Sequence, residues 1–161
     1  MGKVKGKDRM SKELLAIAAT QGRLIGVDFG DARTGIAVSD ISRLLASGIG
    51  NITPGGIEKT ADAIADLVRE HRAVGVVVGL PVNMDGTEGA RAAKCRKLGD
   101  LLRMRLGEDF PVAMYDERMT TMTASRYLNE TNTRGKKRKG VIDTLSAQII
   151  LQNTLDRLKH L

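Results

Sequence analysis

The chain has 161 residues and 17.4 kDa, the size of one ordinary domain, and 42% hydrophobic with 28% charged residues excludes a disordered chain. No apolar run approaches the roughly 18 residues of a spanning helix, so no membrane partner is expected and the chain reads as soluble and cytoplasmic. The 26 Lys and Arg outnumber the 19 Asp and Glu, leaving +7, which favours a polyanionic partner, nucleic acid first.

With no Trp, two Phe and two Tyr, base-stacking platforms cannot be extensive, and contacts to nucleic acid fall mainly on phosphate. The single Cys95, with only His71 and His160, excludes a disulfide within the chain and argues against Cys- or His-based metal sites. Any metal would sit on carboxylates.

Residues 1–21 are basic and read as a flexible tail ending at most in a helical turn, and 22–161 as one domain. LIGVDFG and TGIAVSD read as two strands of a β-hairpin joined through Gly30 to Arg33, with Gly30 and Gly35 expected to relieve positive-φ strain there. Gly26 is expected to admit a close helix approach. A third strand runs over Ser47 to Ile52 and ends at Thr53-Pro54-Gly55-Gly56. Ile57, Ala61, Ile64, Ala65 and Val68 recur at helical spacing. AVGVVVGL is a strand covered on both faces. A helix follows from about Glu88 to Leu106, with Cys95, Leu98 and Leu102 on one face. FPVAMY is another buried strand, a helix spans about Thr120 to Asn129, a basic loop follows, and a last helix runs from Val141 to about Leu158. A hairpin followed by alternating strands and helices is an α/β layer architecture.

Four acids sit where charge is unexpected. Asp28 interrupts an apolar strand, Asp116 and Glu117 end another, and Asp143 shares a stripe with Ala147, Ile150 and Leu151. A carboxylate there needs a cation, a proton or a metal. Strand ends and a covering helix meet at one edge of such a sheet, so acids from distant positions can converge. Convergent carboxylates suit Mg²⁺ or Mn²⁺, and two such ions about 4 Å apart can drive phosphodiester hydrolysis. The residues alone do not choose between Asp116 and Glu117.

The series IGVDFGDARTGIAVSD, VVVGLPVNMDGTEG, YDERMTT and KGVIDTLSAQIIL closely resembles the YqgF (RuvX-like) family, described as pre-16S rRNA nucleases or Holliday junction resolvases. The match runs from about Leu24 to Leu155. The resemblance implies an RNase H-like fold, a central mixed sheet of five strands flanked by helices, and a metal-dependent nuclease. It implies Asp28, Glu117 and Asp143 as catalytic and metal-holding acids. Where the family commonly has Leu-Ser-Thr after Asp-Glu-Arg, this chain has Met119, Thr120 and Thr121, which keeps one apolar residue and two hydroxyls.

Candidate contacts to nucleic acid are Arg33 beside the hairpin turn, Asn83 in the polar loop after the fourth strand, Arg118, and Arg134, Lys136, Lys137, Arg138 and Lys139 of the basic run. Arg33 has Asp31 as an alternative partner, Asn83 has loop capping as an alternative role, and Arg118 could instead neutralise the acidic pair. The substrate reading is the 5′ end of a small-subunit rRNA precursor, with branched DNA as the alternative. A junction resolvase would be expected to form a homodimer, whereas an RNA-end processor need not. A kinase of the actin-like type needs a second such domain, and a non-catalytic assembly factor remains the third reading. Residues 1–12 carry +4 and residues 131–140 carry +5, so the remainder holds 16 basic and 18 acidic residues, or −2.

Overall fold

The computed structural model describes the backbone of residues 6–53, 55–119 and 135–161, and the side chains of 12–53, 55–119 and 144–161. The expected helix at Thr120 to Asn129 and Arg134 lie outside the described residues.

The described residues form strands β1 (Leu24–Asp28), β2 (Thr34–Ser39), β3 (Ala46–Ile52), β4 (Gly75–Leu80) and β5 (Val112–Asp116). The helices are α1 (Gly6–Ala18), α2 (Ile57–His71), α3 (Ala90–Leu106) and α4 (Gly135–Leu158), with a 3-10 turn at Glu117–Met119. The sheet order is β3-β2-β1-β4-β5. The hairpin pairs β1–β2 and β2–β3 are antiparallel, and β1–β4 and β4–β5 are parallel, as expected when helices carry the crossovers. This is the mixed five-stranded sheet that the family resemblance implies.

Side-chain alternation splits the core in two. Ile25, Val27, Val76, Val78, Val112 and Met114 pack with α2 and α3 on one face. Leu24, Val77, Ala113 and Tyr115 pack with Ala147, Ile150, Leu151 and Leu155 of α4 on the other. Gly26 lies under α4, and a Cβ there would stand 2.7 Å from the Leu151 Cβ and 3.0 Å from the Ala147 carbonyl, so glycine admits the helix. At Gly30 the reason differs from the expected positive φ: neither Gly30 nor Gly35 has one. A Cβ on Gly30 would instead meet the Arg33 carbonyl oxygen at 2.6 Å.

Two further expectations need correction. The N-terminal segment carries a 13-residue helix, not a tail ending in a turn. Leu14 and Ile17 are buried, and Glu13 accepts a hydrogen bond from the Met114 backbone N–H at 3.0 Å while facing Arg103 at 3.4 Å. Arg103 donates to the Val112 carbonyl at 2.8 Å, so side chains satisfy the outer edge of β5 that would otherwise be open. A short apolar stretch that follows Glu13 hid this, because that acid has a backbone partner 101 residues away. The last helix begins at Gly135 rather than Val141, so Lys136, Lys137, Arg138 and Lys139 lie in its first turns rather than in a loop. Lys and Arg are good helix formers, and attachment to a long packed helix outweighs their mutual repulsion.

Candidate active site

Asp28 is the last residue of β1 and is half-buried. Alternation from Leu24 and Gly26 puts it on the face covered by α4. It pairs in register with Gly35, which pairs with Asn51 of β3. Glu117 opens the 3-10 turn after β5, on the far side of the same edge. Its carboxyl carbon lies 3.3 Å from where a Cβ on Gly79 would stand, so Gly79 makes room for it beside Ile150 of α4. Burial pushes the Glu117 carboxyl above the ordinary range, and the nearby Asp28 and Asp116 charges add to this while Arg91 opposes it.

Asp116 and Glu117 are neighbours with different surroundings. Asp116 is buried and accepts from the Arg118 backbone N–H at 2.9 Å and from its guanidinium at 2.8 to 3.1 Å. Those bonds hold its carboxyl below the usual range despite burial. It follows Val112 and Met114, so it faces α3 and the loop after β4. Sequence spacing left the two acids equivalent, and strand alternation with the Arg118 pair separates them.

The third candidate, Asp143, lies in α4, and its side chain is outside the described residues. The path of the helix is defined by its neighbours. Gln152 accepts from the Ala46 N–H at 2.9 Å, Gln148 donates to the Ala46 carbonyl at 3.1 Å, and Thr144 donates to Asn51 at 3.3 Å. Along β3 from Ala46 to Asn51 the helix therefore runs from 152 back to 144, antiparallel to β3 and, through the register, to β1. Thr144 reaches Asn51, which shares a row with Asp28, and Asp143 is the adjoining residue. Among the described residues no three His, Cys, Asp or Glu side chains cluster.

The polar loop after β4 is closed on itself. The Asn83 N–H donates to the Thr87 carbonyl at 2.8 Å and its side-chain amide to the Thr87 hydroxyl at 3.0 Å. Asp85 accepts from the Thr87 N–H at 3.0 Å and hydroxyl at 2.6 Å, and these bonds lower its pKa. Arg118 joins the loop to the site by donating to the Asn83 carbonyl at 3.4 Å. Arg33 is half-buried just before β2, and Asp31 lies 3.6 Å from Lys94. The side chains of Lys136, Lys137, Arg138 and Lys139 lie outside the described ones.

Arg91 escaped the sequence reading. It sits in the first turn of α3 and donates to the Phe29 carbonyl, one residue past Asp28, at 3.4 Å. Its signal was the Thr-Glu-Gly that precedes a helix starting beside a strand end. Cys95 is a core residue, its thiol pushed up to about 12, mainly by burial.

The donor set suits a hard divalent cation. Asp28 and Glu117 offer only carboxylate oxygens, and the burial and repulsion that raise the Glu117 pKa are what a bound cation would offset.

Sheet order, crossing helix and edge acids define the class: an α/β protein of the RNase H-like resolvase fold. RuvC of Thermus thermophilus, solved with a Holliday junction substrate, superposes with a TM-score of 0.55 at 13% identity, covering 86% of this chain and 96% of that one. The yeast mitochondrial Holliday junction resolvase superposes with a TM-score of 0.50 at 8% identity, covering 98% and 89%. The chain belongs to the RuvX family, described as Holliday junction resolvase, which matches residues 22–157. A Phenylobacterium zucineum protein named "Putative pre-16S rRNA nuclease" is 44% identical over 151 residues, 92% of this chain and 96% of the relative. A protein of the same name from Caldanaerobacter subterraneus is 43% identical over 140 residues, 86% and 99% of the two chains.

Proposed function

We propose that the chain is a divalent-cation-dependent endonuclease that hydrolyses phosphodiesters of structured nucleic acid and processes the 5′ end of the small-subunit rRNA precursor. The observation that carries this reading is the pair Asp28 and Glu117, two half-buried carboxylates at one sheet edge whose charges oppose each other, in a chain of this family. Asp28, Glu117 and Asp143 hold Mg²⁺ or Mn²⁺ in this reading. Two such ions bound there would supply a water nucleophile at neutral pH and would offset charge on the scissile phosphate.

The protein's own residues do the remaining work. The end of β1 positions the backbone of Asp28, and the space at Gly79 admits the Glu117 carboxyl. Arg118 occupies Asp116, which keeps the neighbouring acid from competing for the cation. In this reading Arg33, Asn83 and Arg118 contact the substrate, and the basic run Arg134, Lys136, Lys137, Arg138 and Lys139 attracts its phosphate backbone.

The relatives' names favour the RNA substrate, and the family description keeps branched DNA as the second reading. Cleavage of a 5′-extended precursor fragment and of a four-way DNA junction, each with Mg²⁺ or Mn²⁺, separates them. The reading expects the precursor to be cut and Asp28→Asn to lower the rate by about 10³ or more with binding retained. Junction cleavage by a dimer, with the RNA intact, would replace it with the resolvase reading. Binding without cleavage of either would leave a non-catalytic assembly factor.

A further inference from the structure

Helix α3 carries six Lys and Arg against one Asp, the densest positive charge among the described side chains. Half of it is committed elsewhere. Arg96 pairs with Glu88 at 2.6 Å, Arg103 with Asp100 at 3.1 Å and Glu13 at 3.4 Å, and Arg105 with Asp62 at 2.5 Å and Glu58 at 2.8 Å. Three remain, Arg91, Lys94 and Lys97, all exposed and all in the first two turns. Arg91 bonds to the Phe29 carbonyl, beside Asp28. Lys94 and Lys97, one helical turn apart, line a cavity of about 330 Å³ whose other walls include Phe29, Gly30, Asp31 and Gly56. The cavity thus opens on the three residues that directly follow Asp28. Its one acidic wall, Asp31, meets Lys94 at 3.6 Å with side chains 76% and 58% exposed, a pair weak enough to exchange for a phosphate.

We propose that Lys94 and Lys97 form a subsite for the phosphodiester backbone flanking the scissile bond, so that a nucleic-acid strand runs from the edge acids along the first turns of α3. The proposal rests on the nuclease reading above. It places contacts to substrate on a helix of the domain body, three of whose other cations, Arg96, Arg103 and Arg105, are held in ion pairs.

The test compares the Lys94→Ala/Lys97→Ala protein with an Arg69→Ala/Lys159→Ala control. The control removes the same formal charge from the last turn of α2 and from just past the end of α4, away from the Asp28 edge. Binding to a fluorescein-labelled four-way DNA junction is followed by anisotropy over a salt series without divalent cations, and thermal unfolding verifies the fold of each variant. The subsite predicts about tenfold weaker binding at 0.1 M salt and a log–log salt slope shallower by about 1.8, from 0.9 for each lost phosphate contact. The control stays within twofold, and Lys94→Arg/Lys97→Arg restores affinity. Equal losses in control and test variant, or no loss in either while the wild type binds, would overturn the subsite and leave the nuclease reading standing. A wild type that binds neither the junction nor a precursor RNA fragment would overturn both.

Discussion

Glu117 concentrates the chemistry in one residue. Its carboxyl is pushed up mainly by burial and then by Asp28, so the folded state holds its proton more tightly than the unfolded chain does. For an acid shifted in this direction, stability falls as pH rises from the ordinary Glu value through the raised one and stays lower above it. Metal-free Glu117→Gln is therefore expected to unfold at a higher temperature than wild type at pH 7, with the difference shrinking as the pH is lowered toward 4. A pH series of thermal scans checks this. The same substitution should lower cleavage by about 10³ or more, so a variant gaining stability while losing activity marks a functional carboxylate. Asp116 shows what the sequence left open. Asp116 ends β5 and Glu117 opens the turn after it, and the turn that brings the Arg118 guanidinium back onto Asp116 distinguishes them further. That contact spans two residues, and nothing in composition or periodicity encodes its direction.

At the scale of elements, α4 determines where the site lies. It crosses the sheet so closely that a Cβ at Gly26 would stand 2.7 Å from the Leu151 Cβ and one at Gly79 would stand 2.6 Å from the Ile150 Cδ1. Gly26→Ala forces a methyl to 2.7 Å from Leu151 and should cost about 1–3 kcal/mol, lowering the thermal midpoint by about 3–10 °C, as differential scanning calorimetry would show. The strands and the later helices were legible because their periods of 2 and 3.6 are set by burial against a common core. The helix α1 was less so. Its few apolar positions, Leu14 and Ile17, are paired with a polar residue whose purpose, covering the Met114 N–H at an edge strand, exists only in the folded chain. The start of α4 was misplaced for a related reason: charge repulsion along 136–139 is local, whereas the packing that sustains the helix lies beyond Thr144.

At the scale of the molecule, net charge divides by position. The residues outside 1–12 and 131–140 sum to −2, although α3 alone carries six cations and one acid. The body is thus nearly neutral, and within α3 Arg103 and Arg105 are paired with acids of α1 and α2, whereas Arg91, Lys94 and Lys97 lie at the end nearer Asp28. Replacing Arg134, Lys136, Lys137, Arg138 and Lys139 together by Gln should flatten the salt dependence of duplex binding by up to about 4.5 in slope. It should leave the affinity for Mn²⁺ unchanged, since attraction and chemistry use different residues. The claim on which the rest depends is that Asp28, Glu117 and Asp143, from β1, the turn after β5 and α4, form one cation site. Titration of Mn²⁺ into the protein, followed by electron paramagnetic resonance, addresses it directly with Asp28→Asn, Glu117→Gln and Asp143→Asn. The account predicts that each substitution weakens Mn²⁺ binding at least tenfold; Asp143→Asn binding Mn²⁺ as tightly as wild type would contradict it.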